Sequence, residues 1–193
     1  MADVRTGSRV KQPAKAAASA APLQTDATSA ARSPRDLLAV APAAWALLVL
    51  ALIGLGISIF LTGEHYAGVI PACQKTGPIN CGAVLTSSYS TVGNTNIPIT
   101  VPGMLWFIVS GGLAAAAVVF AVKRQPAPEW LVPLHMVWSL VGLAFVLYLI
   151  YVEAFRLHEV CEWCSGVHLL VILTVVVATV RYSGFLRDRY ART

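Results

Sequence analysis

Four long stretches of this chain carry no charge, and that feature leaves very few folds open to it. Leu37 to Gly63 holds no Asp, Glu, Lys or Arg, and its apolar centre reads AAWALLVLALIGLGISIFL. Nothing between Lys75 and Lys123 is charged, and the second half of that interval reads VPGMLWFIVSGGLAAAAVVFAV. Trp130 to Val152 and Trp163 to Val180 are two further runs of the same kind. Each offers roughly the 17–25 residues needed to cross a hydrocarbon core of about 30 Å. Only 12% of the 193 residues are charged, against about 25% in soluble domains. The expected fold is therefore all-α: an integral-membrane four-helix bundle with spans at about 40–62, 101–122, 130–152 and 163–181.

Lys and Arg set the expected orientation. Of the 14 in the chain, only Lys75 and Arg156 fall in the connections after the first and third spans. The others lie at the two ends and in the KRQPAPEW connection, so the positive-inside bias puts both termini in the cytoplasm. That distribution also explains the net charge of +5 as membrane topology rather than a surface for nucleic acid. Residues 1–36, rich in Ala, Ser, Thr, Pro and Arg, have no apolar periodicity and read as a disordered cytoplasmic tail. They do not read as a secretory signal peptide, because the basic region is too long and no small-residue cleavage site follows the apolar run. Residues 37–185 form the expected membrane domain, and 186–193 a short cytoplasmic tail.

Two segments then face outward, residues 63 to about 100 and 153 to about 164. The chain has four cysteines, and all fall in them: Cys73 and Cys81 in the first, Cys161 and Cys164 in the second. The outer side of a plasma membrane is the compartment where disulfides form and persist. Residues three apart on a regular helix have Cβ atoms about 5–6 Å apart, whereas a disulfide needs roughly 3.5–4.5 Å. A bond between Cys161 and Cys164 therefore requires Cys161 just before regular helix and Cys164 in its first turn, with Cys161 nearer water and Cys164 nearer lipid. A helix N-terminus favours thiolate; Glu162, between the two, works mildly against it.

The segment PINCGAVLTSS reads as a short amphipathic helix, with Asn80 as N-cap and Val84 and Leu85 dipping toward the membrane. Cys73, among turn-forming residues in IPACQKTG, is expected to be the most exposed of the four. A mobile loop would bring Cys81 to Cys161, and exchange would then pass between the pairs through a mixed disulfide. Three readings fit these features: two inert structural disulfides, a Cys₄ zinc site, or a redox relay at the membrane surface. For zinc the Cys-x₇-Cys spacing is unusual and the compartment is oxidising, so no metal is expected.

Cys-x₇-Cys after the first span, Ser87 six residues beyond Cys81, and CxxC opening the fourth span together resemble the vitamin K epoxide reductase family. The resemblance covers roughly residues 40 to 185 and is to a bacterial disulfide-forming (DsbB-like) member without a fused thioredoxin domain. It implies a four-helix bundle around a quinone, menaquinone or ubiquinone, that acts as co-substrate. It also implies an extracytoplasmic loop with its short helix as the cap. Electrons would come from a periplasmic thioredoxin-like (DsbA-type) protein acting in trans, pass to the loop pair, then to the CxxC, then to the quinone. By position, Cys73 would accept attack by that partner, Cys81 would relay to Cys161, Cys164 would face the quinone ring, and Ser87 would stand near it.

The family pattern is not matched everywhere. Its Tyr, four residues after the second CxxC cysteine, is His168 here, one turn below Cys164 on the same face. That His either serves a quinone carbonyl as hydrogen-bond donor or proton shuttle, or bonds to a neighbouring helix. The family's Asn ahead of the second span has no clear counterpart, since Asn94 and Asn96 fall out of place.

The expected activity is that of a membrane thiol-disulfide/quinone oxidoreductase supporting disulfide-bond formation. Alternatives are vitamin K-type epoxide reduction, or a non-enzymatic membrane protein with two structural disulfides. His135 reads as a packing residue, His65 and His158 as solvated, Trp163 as an interface anchor, and SGGLAAAA as small-residue packing surface.

Overall fold

The structure, a computed structural model, describes residues 34–73, 76–93 and 95–191, with side chains from residue 42 onward. The disordered tail expected at residues 1–36 falls almost wholly outside the described residues, as does Asn94. Four helices are long and apolar enough to cross a membrane, and no strand occurs among the described residues. The chain is an all-helical, multi-pass membrane protein.

Helix α1 spans Pro34–Ala67, α3 Thr100–Val122, α4 Leu131–Tyr151 and α5 Glu162–Tyr190. A short helix, α2 (Cys81–Leu85), lies in the connection between α1 and α3. A π-helical segment, Val152–Leu157, continues α4 into the connection with α5. At 1.5 Å per residue, the 34 residues of α1 extend about 51 Å, well beyond a core of about 30 Å. The far end of α5 likewise runs on into polar sequence, where Arg189 pairs with Glu129 of the α3–α4 connection at 3.7 Å. Both side chains are exposed, so that pair contributes little to stability.

Each long helix buries only a narrow stripe. In α1 it is Ala44, Leu47, Ala51, Gly54, Ser58 and Leu61, an alternation of three and four residues that keeps one seam facing its neighbours. In α4 it is Leu131, His135, Ser139, Gly142 and Val146. Other faces present Leu, Ile and Val outward, among them Leu52, Ile59, Val137 and Val176. Lipid tails are as apolar as these side chains, so burial in lipid does not drive the helices together. Close shape-fitting does, and small residues permit it.

Two glycines show how. A Cβ on Gly54 would collide with the ring of Phe107, and one on Gly142 with the indole of Trp106. These two rings meet edge-to-face, with centroids 5.0 Å apart, within a cluster formed with Ala51, Val146 and Val171. A reciprocal pair of hydrogen bonds locks α3 to α4: Trp106 Nε1 donates to the Trp138 carbonyl at 3.1 Å, and Trp138 Nε1 to the Trp106 carbonyl at 3.2 Å. Gly142→Ala forces the Trp106 ring off its seat, and overpacking of this kind typically costs 1–3 kcal/mol. A lowered melting temperature in detergent, with the surface variant Gly112→Ala (no atom near its added Cβ) unchanged, is the expected result.

At the end of the bundle away from α2, His135 is buried with its Nε2 3.3 Å from Ser110 Oγ. This is the packing role expected for it. Its Nδ1, and Nε and Nη1 of the buried Arg181, have no hydrogen-bond partner among the described residues.

Candidate active site

All four cysteines gather at the α2 end of the bundle, and the backbone brings them there. Residues 78–80 run alongside Val160: Val160 N–H donates to the Pro78 carbonyl at 2.8 Å, and Asn80 N–H to the Val160 carbonyl at 3.0 Å. Immediately beyond this parallel bridge both chains turn into helix, one at Cys81 and the other at Cys161. Asn80 caps α2, its Oδ1 accepting from Ala83 N–H at 3.2 Å, as its side chain and position predict. Val84 is buried and Leu85 half-buried beneath the loop. Cys81, Val84 and Cys161 form one buried cluster, with Cys73, Leu157, Trp163 and Cys164 packed against it.

Cys73 and Cys81 are joined by a disulfide, while Cys161 and Cys164 are free thiols. Cys161 is the residue before α5, with extended backbone at φ −99° and ψ 121°, and its sulfur accepts from the backbone N–H of Cys164 at 3.4 Å. That is the placement a CxxC needs if it is to close. Its burial differs from the expectation. Cys161 is 0% exposed, not the outer, wetter member of its pair, because the loop segment and α2 are laid over it by the Pro78–Val160 bridge. Cys73 is half-buried rather than prominently exposed, since its bond to Cys81 holds it against the same cluster. Trp163 is an anchor of a particular kind: its Nε1 donates to the Ala72 carbonyl at 3.0 Å and its ring packs on Phe60 at 5.2 Å. It thereby pins the loop before Cys73 to the start of α5.

The Cys164 side chain donates toward the Cys161 sulfur, and this contact is the largest influence holding the Cys161 thiol below its ordinary value. Backbone N–H groups of Cys164 and Trp163 act in the same direction, while burial and the charge of Glu153 oppose them. A lowered pKa keeps thiolate present to lower pH, so exchange at Cys161 is lost only as pH falls through that lowered value. Alkylation of the reduced protein at Cys161 by iodoacetamide is therefore expected to show a lower pH midpoint than alkylation of a free cysteine under the same conditions. A midpoint at or above that of free cysteine counts against this electrostatic account.

Below Cys161, Cys164 lines a cavity of about 270 Å³ between α1, α3, α4 and α5. Trp106, Phe107, Trp138, Phe145, Val146 and Val171 make its walls predominantly apolar. Leu105 and Val141, 60% and 52% exposed, belong to its lining and mark a rim on the lipid-facing surface between α3 and α4. Three polar side chains also line it: Ser58, Thr100 and His168. Thr100 Oγ1 is 2.7 Å from Thr62 Oγ1 on α1. His168 is buried, at 5% exposure.

The cavity thus gathers Cys164 and His168, but not Ser87. The Ser87 hydroxyl donates to the Val84 carbonyl at 2.7 Å, finishing α2, and its side chain is not part of the cavity lining. Ser58, Thr100 and Glu153 were missed by sequence reasoning. Ser58 sits on the buried 3–4 alternation of α1. Glu153 sits seven residues beyond Val146 on the buried stripe of α4, and that register could have flagged a carboxylate facing inward.

A lipid-facing cavity beneath a CxxC that abuts a second cysteine pair defines a membrane thiol oxidoreductase, joining a disulfide chemistry to a lipid-soluble acceptor. The profile of the Vitamin K epoxide reductase family matches residues 45–179, and the chain belongs to that family. No curated protein matches the chain. Membership makes the protein an enzyme of the membrane thiol-disulfide/quinone oxidoreductase class, not a scaffold with two structural disulfides.

Proposed function

We propose that the protein reoxidises a periplasmic thioredoxin-like protein acting in trans and delivers the electrons to a membrane quinone, supporting disulfide-bond formation. The observation that carries this reading is the stacking of parts along one line. Loop disulfide Cys73–Cys81 packs on buried Cys161, and Cys164, three residues on, opens into the apolar cavity. The excess of Lys and Arg at the opposite end and in the tails supports an extracytoplasmic position for all four cysteines.

The cavity suits a quinone head group. Ligand pockets usually run from about 300 Å³ upward, so about 270 Å³ holds a ring while an isoprenoid tail leaves through the rim by Leu105 and Val141. His168, Thr100 and Ser58 are the groups able to hydrogen-bond the two ring oxygens, and Trp106, Phe107 and Trp138 exclude water. When bound, a quinone supplies a two-electron, two-proton acceptor. The protein does the rest by exchange. A partner dithiol reduces the loop disulfide by attack at Cys73, Cys81 attacks Cys161 of the oxidised CxxC, and Cys73 then releases Cys161 by re-forming the loop bond. The state with the loop pair bonded and Cys161 and Cys164 reduced is the one in which electrons have reached the inner pair.

The direction of flow follows potentials, about 1.4 kcal/mol for every 30 mV in a two-electron couple. Purified protein, mixed without oxygen with a reduced thioredoxin-like protein and a short-chain ubiquinone or menadione, is expected to consume one quinone per dithiol. Absence of quinone consumption with both acceptors sinks the proposal.

A further inference from the structure

Oxidising the Cys161–Cys164 dithiol releases two electrons and two protons, and the cavity beside Cys164 is predominantly apolar. A thiol proton cannot leave into such a space without a base at its edge. Glu153 lies beside the dithiol, near enough for its carboxyl group and the two cysteines to influence one another electrostatically. It is 7% exposed, on the first turn of the π-helix. π-Helical turns are frequent at functional sites because they re-aim side chains inside a helix. Here one joins the inward stripe of α4 to the connection that carries Cys161. The segment is fastened: Glu159 N–H donates to the Glu153 carbonyl at 3.2 Å, and His158 closes the turn in the left-handed region at φ 55°.

A second cavity, of about 280 Å³, lies on the other side of this carboxylate, lined by Glu153, Ser165 and His168 together with apolar residues. His168 lines both cavities. Glu153 and His168 line the second cavity and His168 and Cys164 the first, so the imidazole stands between the carboxylate's cavity and the thiol's. A buried carboxylate with no cationic partner among the described residues is costly to keep unless it has a use there.

We propose that Glu153 is the catalytic base that takes the proton from Cys164 and passes it through His168 to a quinone oxygen. The inference rests on the quinone reading above and adds the proton's route to it. In full, Cys161–SH and Cys164–SH plus quinone give the Cys161–Cys164 disulfide plus quinol. Electrons leave the two sulfurs as the S–S bond forms. The Cys164 proton travels by Glu153 and His168 to one oxygen. The Cys161 thiol gives up the equivalent of the second proton that the quinol carries, so the two protons released equal the two taken up.

The test reads thiol chemistry as well as turnover. In reduced, quinone-free protein in detergent, Cys164 labelling by N-ethylmaleimide is followed by mass spectrometry for wild type, Glu153→Gln and Glu153→Asp. Glu153→Gln should slow Cys164 labelling and single-turnover reduction of short-chain ubiquinone by about 100-fold, the scale of a lost general base. Glu153→Asp, which keeps the carboxyl, should recover most of both. Cys161 labelling should hold or rise in Glu153→Gln, because a neighbouring negative charge has gone. Unchanged Cys164 labelling overturns the inference. So do equal losses in the Gln and Asp variants, or a parallel fall at both cysteines, which mark a packing role. Wild type that labels as expected but reduces no quinone overturns the quinone reading and the final leg of the route, while leaving the Glu153–Cys164 transfer supported.

Discussion

Replacing Cys164 with alanine abolishes quinone reduction, by at least about 1000-fold. Loss of the nucleophile that meets the acceptor removes the covalent route entirely, and losses of this kind are the largest that single substitutions produce. In the variant Cys161 cannot close on its CxxC partner, yet it still lies in one buried cluster with Cys81 under the Pro78–Val160 bridge. Its sulfur can exchange with the Cys73–Cys81 bond, but Cys73 reverses the exchange by re-forming that bond. Adding Cys73→Ala removes the reversing thiol, and oxidation of the double variant with diamide should then join Cys81 to Cys161 in non-reducing peptide mapping. Near-normal quinone consumption by Cys164→Ala, or no Cys81–Cys161 linkage in the double variant, contradicts the relay.

Cys73→Ala has the second-largest expected effect, and it separates substrates. With only Cys81 left in the loop, a thioredoxin-like protein can form a mixed disulfide but cannot be released in oxidised form through the loop pair. Protein-driven quinone reduction is expected to fall by about 100-fold or more, while dithiothreitol-driven reduction stays within about tenfold, because a small dithiol reaches the inner pair without the loop. Comparison of the two electron donors in one anaerobic assay reads this directly. Equal losses with both donors indicate that Cys73 acts by holding the loop in place. Equal retention with both indicates that electrons bypass it.

Much of the candidate site was legible because its residues announce themselves by spacing. CxxC at the mouth of an apolar run constrains where a helix must begin, and Cys161 does precede α5 with Cys164 in its first turn. Asn80 before CGAVL is a local capping signal, and it caps as read. His168 follows Cys164 by one helical turn, which puts both on the same cavity. Ser87 shows the limit of reading by position. Six residues beyond Cys81 it falls just past the end of a helix of only five residues, and there its hydroxyl turns back to the Val84 carbonyl.

Glu153 went unnoticed because a carboxylate just past a span reads as one more polar residue at the water boundary. Its inward direction comes from the helical register carried through the π-helical turn. The burial of Cys161 escaped for a related reason. Nothing near CxxC in sequence says that a loop segment about 80 residues earlier is hydrogen-bonded beside it.

Sequence alone determined that this chain crosses a membrane four times and that its sulfurs occupy two adjoining connections, since uncharged length and cysteine position are properties of the chain itself. Which sulfur touches which, which faces enclose the cavity, and where a carboxylate meets a thiol were decided only by the tertiary structure. Helices in lipid associate through shape rather than through a hydrophobic pattern. The two cysteine-bearing segments meet through backbone hydrogen bonds that any residue but proline can donate, so neither contact leaves a mark that can be read along the chain.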